Sequence, residues 1–84
     1  MLFTISRKQA SEQSLWSSLQ IGALRAYDPD ERKAIKSIKE AWEAETHLNS
    51  ADTIFLSLPD ELSAFAKQYF SNLGVRYSTD EKKK

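Results

Sequence analysis

Few side chains in this sequence could do chemistry. His47 is the only histidine and there is no cysteine, so neither a thiolate site nor a triad has its usual parts. Glu43 and His47 stand four apart and could reach one ion from the same helix face. A zinc site needs three or four ligands, however, and none is suggested nearby. Asp28, Asp30 and Glu31, and again Asp60 with Glu61, bring carboxylates together as acid–base pairs do. Each group adjoins a proline, and Asp-Pro-Asp-Glu and Pro-Asp-Glu are the chemistry of a helix start: an acceptor for free N–H groups, a proline at the first turn, and acids at the positive end of the dipole. With two glycines in the whole chain no glycine-rich loop can cradle a phosphate. The expectation is a protein without catalytic residues, metal or cofactor.

Basic residues offer a second chemistry. Arg32, Lys33, Lys36 and Lys39 fall within about 120° of one another when wound at ~100° per residue. They form a stripe that could meet phosphates. Glu40 and Glu43 lie in the same sector and pair at i,i+4 with Lys36 and Lys39, which dilutes the field. Further basic groups are Arg7, Lys8, Arg76 and the Lys82–Lys84 tail.

A third feature carries more weight. From Gln13 to Leu24 no residue is charged, although a surface helix of a small domain normally has a charged outer face. Ile21 and Leu24 lie about 140° or more from Leu19 at ~100° per residue, so they do not share the core side of Leu15 and Leu19. Charge depletion with exposed aliphatic groups is the composition of an interface. The alternative is a helix packed on two sides within the domain. The candidate partner-binding residues are Trp16, Ser17, Gln20, Ile21 and Leu24. Trp16 sits at the edge of its stripe, whereas Trp42 reads as core.

The elements that must position these residues follow from periodicity. Residues 2–8 alternate as a strand, with Phe3 and Ile5 on one side. Ser11 is placed to cap a helix over about 12–26, whose inner side carries Leu15, Trp16, Leu19, Ala23 and Ala26. A helix from Pro29 to about Thr46 carries Ala34, Ile35, Ile38, Ala41 and Trp42 on its apolar stripe. His47 to Asp52 is a polar turn. Residues 53–58 form a strand with Ile54, Leu56 and Leu58 on one face. A helix from Pro59 to Leu73 presents Leu62, Phe65, Ala66, Tyr69, Phe70 and Leu73, and ends at Gly74 as the left-handed residue. Residues 75–78 form a last strand with Val75 and Tyr77 on one face. The order β-α-α-β-α-β predicts an α+β two-layer sandwich, three helices on one face of a three-stranded sheet. A right-handed crossover would leave its second and third strands parallel. Residues 1–78 make one domain, and 79–84 a flexible charged tail.

Two partial resemblances accompany this reading. The element order, with the basic run Ile35-Lys36-Ser37-Ile38-Lys39 and the helix-to-strand turn Leu73-Gly74-Val75, resembles the C-terminal domain of the bacterial ribosomal stalk protein and its relatives among protease adaptors. The glycine-rich signature of the stalk domain and the acidic pocket residues of the adaptors are absent, so the resemblance implies topology alone. Thr53-Ile54-Phe55-Leu56-Ser57-Leu58-Pro59-Asp60-Glu61-Leu62 resembles the strand and helix start of ribbon-helix-helix repressors. The second helix those dimers require does not follow Gly74.

Composition narrows the class. In 84 residues, 40% are hydrophobic and 29% charged, which is globular and not disordered. Twelve Lys/Arg balance twelve Asp/Glu, without the basic excess that phosphate neutralisation favours. The absence of cysteine points to a reducing, cytoplasmic setting. The short apolar start followed by Arg7 and Lys8 is not expected to act as a signal peptide, and no run approaches the ~20 residues of a membrane span. The resulting expectation is a small soluble interaction module that acts as an adaptor, subunit or inhibitor. Its partner is a protein or a second copy of itself. Chains of this kind are common among phage- and mobile-element-encoded regulators. Nucleic acid, met by the basic stripe, ranks second, and a membrane is not expected.

Overall fold

The computed structural model describes residues 1–80. The chain forms β1 (Leu2–Ser6), α1 (Arg7–Glu12), α2 (Leu15–Arg25), α3 (Pro29–Leu48), β2 (Thr53–Ser57), α4 (Asp60–Leu73) and β3 (Ser78–Thr79). It is an α+β fold with helices on one face of a three-stranded sheet. β1 lies in the centre and pairs antiparallel with β2 on one side and β3 on the other. β2 and β3 therefore point the same way, as the crossover predicts, but β1 separates them. Phe3, Ile5, Ile54 and Leu56 face the helices and are fully buried, while Thr4, Phe55 and Ser57 alternate onto the outer face.

The longest helix is written by its caps. The Asp28 carboxylate accepts from the Asp30 N–H at 2.9 Å, and Pro29 occupies the first turn. Ile35, Ile38 and Trp42 turn inward from it. In α4, Ala66 and Phe70 are buried, and the Phe70 ring meets Phe3 edge-on at 5.6 Å. Gly74 ends α4 with φ +83°, a conformation that favours glycine.

Three expectations are corrected. The first helix is two helices. Ser6, not Ser11, caps α1 by accepting from the Gln9 N–H at 3.3 Å, so Arg7 and Lys8 are helical and the strand stops short of them. The chain then breaks at Gln13–Ser14, where Ser14 is left-handed at φ 55°, and α2 starts afresh at Leu15. The last strand is also shifted. Val75 is buried and Tyr77 packs at 5.4 Å from Phe3, but the residues that pair with β1 are Ser78 and Thr79. Thr79 therefore belongs to the sheet, and Asp80 follows it with two bonds to Leu2. The rest of the tail, 81–84, lies outside the described residues. The likeness to ribbon-helix-helix repressors ends at α4, since β2 pairs within the chain and β3 follows Gly74.

Candidate functional site

α2 reaches its position through two backbone features. The left-handed Ser14 turns the chain sharply after α1, so that Leu15 and Leu19, one turn apart, both drop into the core. Gly22 then lets α2 lie close against α3: a Cβ there would stand 2.9 Å from Ile35 Cδ1 and 3.1 Å from its Cγ2. Beyond the end of α2, the Ala26 carbonyl accepts from Arg32 Nη1 at 2.7 Å, tying the α2–α3 turn to the first turns of α3.

The face left outside is formed by Ser17, Gln20, Ile21 and Leu24. Their i, i+3, i+4, i+7 spacing makes one continuous stripe along the helix. All four are exposed, with Ile21 at 60% and Leu24 at 79%. Tyr27, just past the helix, is exposed at 99% and was not singled out in the sequence because it falls beyond the helical period. None of the five carries charge. Arg25 flanks them at the last turn.

Trp16 is only half-buried, and Lys39 Nζ stands 5.5 Å from its ring centroid, a cation–π arrangement. The same ammonium lies 4.0 Å from Glu43. Trp16 also borders an open groove of about 850 Å³ between α1, the start of α2 and the last turns of α3, lined by Arg7, Ser11, Ser14, Trp42, Glu43 and Thr46 among others. The groove escaped the sequence reading because it exists only where the helix breaks, and Ser14 gives no compositional sign of a break. Trp42 lies at its base as core, as its position in the stripe implied.

The basic stripe does not come together as one free field. Arg32 is turned to the Ala26 carbonyl and Lys39 to Trp16 and Glu43, which leaves Lys33 and Lys36 as its exposed members. Arg7 is also engaged: its guanidinium donates to the carbonyls of Asn49 and Ala51 and clamps the loop before β2. Lys8 and Arg76 are exposed, and the Lys82–Lys84 run lies outside the described residues. His47 and Glu43 are exposed on the last turns of α3, and among the described residues no three His, Cys, Asp or Glu side chains are placed to hold a metal. Tyr69 of α4 places its hydroxyl 3.6 Å from where a Cβ on Gly22 would stand, and burial raises its pKa above the ordinary 10.0.

No protein-family model, curated protein or solved structure matches this chain.

Proposed function

We propose that this chain is a non-catalytic protein-interaction module, an adaptor, subunit or inhibitor of a protein partner. It binds through Ser17, Gln20, Ile21 and Leu24, with Trp16 at the border of the site. The observation that supports this most is the uncharged outer stripe of α2, with Ile21 and Leu24 exposed on a helix fixed by its contact with α3. Depletion of charge around exposed aliphatic side chains is the compositional mark of an interface core. A rigid element also loses little entropy on docking. Covering Ile21 and Leu24 would contribute on the order of 1–2 kcal/mol each, by the usual worth of a buried aliphatic side chain.

Polyanion binding through Arg32, Lys33, Lys36 and Lys39 has less support, because two of the four already serve intramolecular contacts. No helix among the described residues is long and apolar enough to cross a membrane, and with no cysteine in the chain we place its action in the cytoplasm. The test compares Ile21→Asp and Leu24→Asp with Lys33→Glu combined with Lys36→Glu. Partner binding is lost in the first two while the circular dichroism spectrum is unchanged, and it survives in the third. Binding that withstands both aspartates refutes the site.

A further inference from the structure

β2 is an edge strand whose outer side is open, and its pairing with β1 defines which groups point there. Met1 and Leu58 bond reciprocally, and the Arg7 N–H donates to the Asp52 carbonyl. With the register Phe3↔Leu56 and Ile5↔Ile54, residues 54, 56 and 58 direct their N–H and C=O groups to β1. By the alternation of an antiparallel ladder, 53, 55 and 57 direct theirs outward. There the Thr53 carbonyl accepts from Asn49 Nδ2 at 3.1 Å. Phe55 and Ser57 have no backbone partner on that side among the described residues.

Monomeric proteins protect such edges with charge, proline, bulges or shortness. The opposite edge follows that rule, since β3 is two residues long and Asp80 follows it. β2 does not: Thr53-Ile54-Phe55-Leu56-Ser57 has five residues, each of strand-compatible type except serine, with no charge, proline or glycine. Phe55, at its centre, is 46% exposed on the outer face.

We infer that β2 pairs antiparallel with β2 of a second copy, joining two three-stranded sheets into one. The strand is self-complementary about Phe55. A two-fold axis there sets Phe55 opposite Phe55 of the second copy, as a hydrogen-bonded pair with the rings side by side. It sets Thr53 opposite Ser57, hydroxyl to hydroxyl, and Ile54 opposite Leu56 on the core side. Just beyond the strand, Asp52 opposes Leu58 and Asp60 opposes Ser50, so no carboxylate meets another. This dimer goes beyond the partner-binding reading and does not rest on it, because the α2 stripe takes no part.

The test is the mass of the full chain in solution by sedimentation or light scattering at micromolar concentration, with amide hydrogen exchange. The expected mass is twice the 9.6 kDa of one chain, with protected Phe55 and Ser57 amides. Phe55→Lys sets like charges across the axis and yields a folded monomer in which the amide of residue 57 exchanges freely. Thr53→Lys with Ser57→Lys is also a monomer, whereas Thr53→Lys with Ser57→Glu pairs opposite charges and is again a dimer. Ile21→Asp leaves the mass unchanged. A wild-type mass of one chain with freely exchanging Phe55 and Ser57 amides overturns the inference. So does a dimer that survives Phe55→Lys, or one that is lost in Ile21→Asp.

Discussion

Replacing Gly22 by alanine tests whether α2 sits where the site requires. In an exposed helix interior Gly→Ala stabilises by about 1 kcal/mol, because glycine loses more backbone entropy on folding. At Gly22 the new methyl would meet Ile35 Cδ1 at 2.9 Å and Cγ2 at 3.1 Å. Ile35 is 5% exposed and β-branched within α3, so its χ1 is held to one rotamer and it yields poorly. Overpacking of this kind costs about 1–3 kcal/mol. Set against the ~1 kcal/mol propensity gain, the net expectation is a loss of about 1 kcal/mol, within a range of ~0–2. Urea unfolding of the wild type, Gly22→Ala, Ile35→Val and the double variant reads this directly. Ile35→Val removes Cδ1 and alone costs about 0.5–1.5 kcal/mol. In the double variant the two losses are sub-additive by roughly 0.5–1 kcal/mol, since the clashing atom is gone. A Gly22→Ala protein about 1 kcal/mol more stable than wild type would refute the close α2–α3 approach, and with it the outward placement of Ile21 and Leu24.

Two further perturbations address the elements around the site. Ser14→Gly relieves the cost of a left-handed non-glycine residue, ~1–2 kcal/mol, against an unfolded-state entropy loss of ~0.4–1. The variant is more stable by about 0.5–1 kcal/mol in the same urea assay, and a destabilised one would contradict the break between α1 and α2. Because burial raises the Tyr69 pKa above 10.0, the unfolded chain gives up that proton first as pH climbs. Stability from this group is therefore unaffected below pH 10.0 and falls as pH rises above it. Tyr69→Phe shows a shallower loss than wild type when urea midpoints at about pH 8 and about pH 11 are compared; identical slopes would contradict the burial of the hydroxyl.

What the sequence announces and what it conceals divide along a physical line. α3 and α4 begin with side-chain and proline chemistry that acts within a few residues, and Gly74 marks its own left-handed turn, so each is legible locally. Ile35, Ile38, Trp42, Ala66 and Phe70 are buried as periodicity predicts. The break at Ser14 is not legible, because serine is an ordinary helix residue and its neighbours carry no glycine or proline to mark the left-handed turn at φ 55°. The capping serine is equally illegible: Ser6 and Ser11 both precede helical residues, and the pairing of β1 with β2, which ends at Ser6↔Thr53, decides where the strand stops. Val75 and Tyr77 have the alternation of a strand, but Val75 is buried in the core and Tyr77 packs on Phe3 and Phe70 without pairing with β1. Of the candidate site, the uncharged run from Gln13 to Leu24 was visible as composition. The exposure of Tyr27 and the engagement of Arg32 and Lys39 are tertiary facts that spacing along one helix cannot carry.

The binding of a protein partner by the outer stripe of α2, proposed above, can be tested directly. The most direct measurement is affinity capture by the tagged chain from lysate of its source cells after nuclease treatment, run in parallel with wild type, Leu24→Asp, and Lys33→Glu combined with Lys36→Glu. If the stripe is the site, a stoichiometric protein withstands nuclease, persists with the lysine variant and disappears with Leu24→Asp. A captured species that vanishes with nuclease or with the lysine variant, yet remains bound to Leu24→Asp, would contradict it.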